Sequence, residues 1–330
     1  MTTPRKDLID LDVTRWYHCI SRCVRSALLL GKSGNKTDRK QWIENRLEKL
    51  NKNFAISVGG FAVMDNHLHV LVRLDPEEAE QWSAREVAER YLDMYPPRNM
   101  ALHDEKVVEA WINNLVNDPG SIEKYRERLG NLSWFMKSLK EPLARLANKE
   151  DGCKGCFWDQ RFKSPGVVGD EALLATCAYI DLNPIAAGTA ETPESSAHTS
   201  VRQRVQHVRR QNKLGRLKAA RKGSVAGSRA AGNIEQNHWL VPIEDRSNHP
   251  NKRKRGRVGM LETFSLGSYL LLVDYTGRLF RQGKARMNTA VQEIFERLES
   301  SCEYWSEFLT KMRKRGGPRG TKISMKPIAQ

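Results

Sequence analysis

The sequence predicts an α+β fold, and three observations carry that prediction. Residues 54–74 hold two apolar runs separated by Asp65–Asn66, the pattern of a β-hairpin. Residues 77–149 switch to apolar residues at three- and four-residue spacing, the helical period. The composition, 39% apolar and 28% charged, is that of a soluble globular chain, and no apolar run reaches the roughly 18 residues that a membrane span needs.

Taken in order, residues 1–13 are expected to be a disordered lead. The opening MTTPRKDLIDLDVT lacks the apolar core of a signal peptide, so a cytoplasmic, nucleoid-associated location is expected. TRWYHCISRCV (14–24), rich in β-branched and aromatic residues, makes a first strand. Thr37 is placed to cap a helix running to about Asn51, with Trp42, Ile43, Leu47 and Leu50 at helical spacing. The second strand covers 54–64, with Gly59–Gly60 as a bulge or bend, and the third covers 67–74, ending at Asp75–Pro76. A helical insertion follows at about 77–130, its helices opening at Ser83, Asp104 and Ser121. NLSWFMKSLKEPLARLAN is a long amphipathic helix with Trp134, Phe135, Leu139, Leu143 and Leu146 as its stripe. FWDQRFK (157–163) is expected as a fourth strand. Asp170 is expected to cap a helix that stops at Pro184. A main domain therefore spans 14–190. Residues 191–259, rich in Ser, Gly, Lys and Arg, read as a basic flexible linker with room for a short helix within 199–222. Residues 260–312 regain helical periodicity as a small C-terminal unit, and 313–330 read as a disordered tail.

The formal net charge of +16 points to a polyanionic partner, most simply nucleic acid. Residues 200–259 carry sixteen Lys/Arg against three Asp/Glu, whereas 77–127 is comparatively acidic. The run KRKRGR, with Lys252, Arg253, Lys254 and Arg255, is either a DNA-facing segment or a solubilising one. Six cysteines do not make a disulfide scaffold in a chain this long. Cys153 and Cys156 form a single C-x-x-C, and Cys19 and Cys23 are poorly spaced to complete a zinc site, so GCKGC reads as a glycine-rich turn. The chain has no G-x-x-x-x-G-K-[ST] loop, and no nucleotide cofactor is expected.

Two stretches carry the chemistry. In FAVMDNHLHVLVR, His67 and His69 lie two apart on a strand, so both imidazoles leave the same face and could begin a divalent-metal site. In CAYIDLNP, Tyr179 and Asn183 are four apart and share a helix face, with Asp181 turned elsewhere. Two imidazoles and an amide oxygen, with positions left for water and phosphate, suit Mg²⁺ or Mn²⁺. Each stretch alone also fits a plainer role: histidines on a solvated strand, a tyrosine in the core, an asparagine ending a helix before Pro184.

Together, WYHCISR, DNHLHVLV, FWDQRFKS and CAYIDLNPIAAG resemble the motifs of the REP-associated tyrosine transposases, of the single-tyrosine HUH superfamily. The resemblance covers about residues 14–190, with Tyr17 and His18 in the expected places, and extends less firmly to MLETFSLGSYLLLVDYTGRLFR. It implies a ferredoxin-like antiparallel sheet with helices on one face. It further implies a metal-dependent endonuclease and strand-transferase acting on single-stranded hairpin DNA. In that role Tyr179 is the nucleophile, forming a 5′-phosphotyrosine link, and His67, His69 and Asn183 hold the metal. Arg15, Arg22, Arg161 and Lys163 are candidate phosphate contacts. Trp158, Trp16 and Phe162 are candidates for base stacking or for the sheet core. The chain departs from the pattern at Asp181, where members often carry His or Arg, in its long insertion, and in its basic 200–259 region. The expected assembly is a monomer or homodimer without a membrane partner. The competing readings are a catalytically silent DNA-binding regulator derived from a transposase, and a nickase of the wider superfamily.

Overall fold

A computed structural model of the chain describes residues 8–31, 36–98, 100–101, 104–190, 192–212, 234–235, 237–245, 259–261, 264–279 and 323–324. Its centre is a sheet in the order β2-β3-β1-β4-β5. The strands are β1 (Trp16–Arg22), β2 (Ile56–Val63), β3 (His67–Leu74), β4 (Gly166–Val168) and β5 (Ile323–Ser324). The first four pair antiparallel, and β5 joins β4 in parallel. The β2–β3 hairpin closes through Asp65–Asn66, with the Met64 N–H donating to the His67 carbonyl at 2.9 Å. With α1 (Arg39–Asn53) between β1 and β2, and β1 and β3 central, the connectivity is the expected ferredoxin-like one.

Strand alternation divides the core in two. One face presents Tyr17, Cys19, Leu68, Val70 and Val72 to Ile43, Leu47 and Leu50 of α1 and to Phe135, Leu139 and Leu143 of α6 (Leu132–Glu150). The insertion, α2 (Pro76–Glu80), α3 (Ala84–Met94), α4 (Glu105–Val116) and α5 (Pro119–Gly130), extends this layer. The other face presents Ala62, Leu71 and Val167 to α7 (Asp170–Asp181). Helices on one face therefore describe only the first layer; α7 covers the second, because its sequence is apolar nearly all round and needs burial on every side.

Two local expectations change. The fourth strand is 166–168, not 157–163. The latter meets β1 and the Cys23 that follows it through the bridges Ile20↔Lys163 and Cys23↔Trp158, with the Asp159 N–H donating to the Arg22 carbonyl. Between those bridges β1 advances three residues and the opposing segment five, so Asp159, Gln160 and Arg161 bulge into solvent. Helix caps shift by one to three residues: Asp38 caps α1, Asp118 caps α5, and Gly169 precedes α7. Asp38 and Asp118 each accept a backbone N–H that Thr37 and Ser121 do not.

The described parts of 191–259 are folded rather than free. Within them, α9 (Ser200–Arg210, following the one-turn α8, Asn183–Ala186) buries Val201, Val205 and Val208. Arg204, one of the positive charges of this region, is 2% exposed. Its guanidinium pairs with Glu235 and donates to the carbonyls of Gly59 and Val241, each at 2.8 Å. Ile234, Leu240, Val241 and Ile243 are also core residues. The apolar periodicity of α9 and of 240–243 was diluted by the flanking Ser, Gly and Arg. Lys252, Arg253, Lys254 and Arg255 lie outside the described residues, as do most of the expected 260–312 unit and of the 313–330 tail. Its first helix, α10 (Leu266–Leu279), is described and packs on α7.

Candidate active site

His67 and His69 leave β3 on the α7 face, where antiparallel pairing sets Arg22 opposite His67 and Ile20 opposite His69. From Ala172 to Leu182, α7 and its C-cap are buried except at Tyr179, and Asn183 one turn on is likewise half-open. The four residues meet. The Tyr179 ring stands edge-on to the His69 ring with centroids 5.6 Å apart, and the His67 and His69 rings are 4.9 Å apart. Pairing strand alternation with the helical i,i+4 face thus brings the tyrosine to the histidines.

The hydrogen bonds orient these groups. Asn66 Oδ1 lies 2.6 Å from His67 Nδ1. An amide oxygen only accepts, so the tautomer that satisfies this contact carries its proton on Nδ1 and has its lone pair on Nε2. Asn183 donates through Nδ2 to the Tyr179 carbonyl at 2.8 Å, and its side chain also contacts His67. His69 Nδ1 lies 2.9 Å from Nε2 of a third histidine, His18, on β1. Burial keeps all three imidazoles neutral: His18 is lowered to about 3, His67 to about 4 (with the Arg22 charge adding to the effect), and His69 well below the usual histidine range. Neutral imidazole is the ligating form. Two neutral imidazoles and an amide side chain within reach of Tyr179 are residue types that small divalent cations accept as ligands. Among the described residues no group of three or more His, Cys, Asp or Glu is placed to hold a metal ion.

Asp181 takes no part. It is 1% exposed and accepts from Ser200 Oγ (2.6 Å), the Val201 N–H (2.9 Å) and the Tyr269 hydroxyl (2.5 Å). It ties α7 to α9 and α10, and neither faces DNA nor supports a metal ligand.

The expected DNA contacts divide. Arg22 is exposed beside His67. Lys163 bridges to Ile20, which pairs with His69, so all three lie in one row on the Tyr179 face. Arg161 is exposed on the bulge. Arg15 is turned away into a two-pronged pair with Glu77 (2.6 and 2.7 Å), with Asp75 at 3.5 Å. Trp158 belongs to the α6 face: its indole N–H donates to the Lys140 carbonyl at 3.1 Å and the Lys140 ammonium sits over its ring. Phe162 packs in the same layer, while Trp16 lies against Gly59 in the other. The Cys153–Cys156 loop is the glycine turn expected, with Gly152 and Gly155 at φ 63° and 114°, whereas Cys19 and Cys23 are buried. The roles of His18 and Asn66 were not read from the sequence. The signal existed: Trp16, His18, Ile20 and Arg22 alternate onto one face of β1.

No family model matches the chain, and no curated protein does. Similarity to solved structures extends to one described as "Structure of the REP associates tyrosine transposase bound to a REP hairpin". It is 12% identical, with 58% of this chain and 78% of that chain covered and a TM-score of 0.33. A likeness that distant bears on neither the residues nor the chemistry of this site.

Proposed function

We propose that the protein is a metal-dependent single-stranded DNA endonuclease and strand-transferase, a transposase working through a tyrosine. What carries the reading is the meeting of Tyr179 with His67, His69 and Asn183 on one half-open face, the rings of Tyr179 and His69 being 5.6 Å apart. The four ordered sequence motifs and the net charge of +16 support it independently.

In this reading the Tyr179 phenol oxygen attacks a phosphodiester phosphorus. An O–P bond forms, the bond to the 3′ oxygen breaks, the phenol proton is released, and the departing oxygen takes up a proton as a 3′-hydroxyl. The 5′-phosphotyrosine retains the bond energy, so a second 3′-hydroxyl can reverse the step and join strands without ATP. Mg²⁺ or Mn²⁺ held by His67, His69 and Asn183 would supply Lewis-acid polarisation of the phosphate. Arg22 and Lys163 bind the flanking phosphates, and α7, buried from Ala172 on except at Tyr179, keeps the phenol at a fixed height above the sheet. The partner is single-stranded or hairpin DNA.

The test is incubation with a hairpin-bearing single strand and Mg²⁺ or Mn²⁺, followed by denaturing gel and mass spectrometry. The expected result is a covalent adduct on Tyr179, absent in Tyr179→Phe and lost on chelation. DNA binding without an adduct, unchanged by His69→Ala, would replace this reading with that of a catalytically silent regulator.

A further inference from the structure

We propose that His18 is the positioning residue for His69, and that these two imidazoles exchange tautomers together when a cation enters the site. The inference rests on the metal-site reading above. His18 is 1% exposed, with Nε2 2.9 Å from His69 Nδ1. Its other nitrogen, Nδ1, is buried without a hydrogen-bond partner. Two ring nitrogens this close share one proton, so one donates and the other accepts.

Two arrangements follow. In the first, His18 Nε2–H donates to His69 Nδ1. His18 Nδ1 is then an idle lone pair in the core, and His69 carries its own proton on Nε2, where it cannot ligate. In the second, His69 Nδ1–H donates to His18 Nε2. His69 Nε2 is bare and able to ligate, and His18 buries an N–H with no acceptor. An orphaned buried donor is the costlier defect. The metal-free protein therefore holds the first arrangement, and a cation selects the second. The exchange is neutral overall. A proton leaves His69 Nε2 to water, one crosses from His18 Nε2 to His69 Nδ1, and one arrives from water at His18 Nδ1.

His67 is built differently. Asn66 Oδ1, 2.6 Å from its Nδ1, is an acceptor that favours that nitrogen as the donor. His67 is a preset ligand and His69 a conditional one, which makes His18 the residue that sets how readily the second ligand is given up to a cation.

The experiment uses the full chain labelled with ¹⁵N at histidine, and reads tautomers by long-range ¹H–¹⁵N correlation before and after adding Mg²⁺. Mn²⁺ affinity is measured by calorimetry on the same protein. The expected result is His69 protonated at Nε2 without metal and at Nδ1 with it, and His67 protonated at Nδ1 throughout. His18→Leu, which removes the acceptor, should weaken Mn²⁺ binding about 10- to 100-fold, as loss of an outer partner does elsewhere. His18→Gln, which restores an acceptor oxygen, should stay within about threefold of the wild type if that acceptor is what matters. Thermal melting confirms that both variants fold, and an unchanged His67 tautomer reports on the site even where His18→Leu is less stable. Mn²⁺ binding that His18→Leu leaves unaltered, or His69 already protonated at Nδ1 without metal, overturns the proposal alone. A wild-type protein that binds no Mn²⁺ overturns the metal-site reading and the coupled exchange with it.

Discussion

Asp181 follows Tyr179 by two positions and faces the opposite way, into three donors from Ser200, Val201 and Tyr269. Asp181→Ala leaves those donors buried and unpaired, at about 1 kcal/mol or more each, so its melting temperature should fall well below that of Tyr179→Phe. Equal melting temperatures would mean that the carboxylate is not the tie we describe. At the mouth of the site, Arg22 is exposed beside His67. Arg22→Ala should weaken single-strand binding and lower the salt slope by about 1. Trp158→Ala should destabilise the fold yet leave that slope alone, because its ring lies in the α6 layer under Lys140. A stronger binding defect in Trp158→Ala than in Arg22→Ala would reverse these assignments. The sequence made Tyr179, His67, His69 and Asn183 legible because each spacing, two on a strand and four on a helix, fixes a face. It could not separate Arg22 from Arg15, since only the fold shows that Glu77 takes the Arg15 guanidinium.

Elements were legible wherever a period and a cap agreed: β3 begins at His67 and ends at Leu74 as read, and Ser83 opens α3 with a capping box. The misread fourth strand has a physical cause, since FWDQRFK has strand composition but its polar centre bulges out of register with β1. The bulge at Gly59 was legible from its glycines, and its packing explains the residue type. A Cβ there would come within 2.7 Å of the Trp16 ring and 2.9 Å of the Met260 sulfur. Gly59→Ala should therefore cost about 1–3 kcal/mol. The first layer also carries a pH dependence. Asp151 is held below the usual carboxylate range, first by its hydrogen bond from Arg39 and then by Lys36, and Glu150 is lowered too, by Thr37 and Arg39. A carboxylate with a depressed folded pKa stabilises at neutral pH, and that contribution fades as pH falls below the ordinary value of about 4. Arg39→Met should lose stability at pH 7 and show a shallower further loss between pH 5 and 3 than the wild type, by urea melts at each pH. Parallel curves would remove this pairing as the cause.

At the scale of the whole molecule, the composition misleads about the second half of the chain. A run of sixteen Lys/Arg against three Asp/Glu suggests a tether, yet within it Arg204 is a core residue joining β2, Glu235 and Val241. Charge counts cannot tell a buried, paired arginine from a solvated one, and the apolar residues that accompany it are too few per window to announce a core. The helix α7 needs these later segments. One side of it lies on the sheet, and the rest is covered by Met260, Phe264, Tyr269, Leu272 and Val273, whose side chains each stabilise by about 1.5–3 kcal/mol on burial. The helix α10 is then no detachable module but part of the wall behind Tyr179. A chain ending at Asp245 should therefore fail to fold cooperatively, or expose the α7 core and bind a hydrophobic dye. If 191–259 were only a linker, that truncation would melt as sharply as the full chain and still form the Tyr179 adduct, and calorimetry with the adduct gel decides between the two.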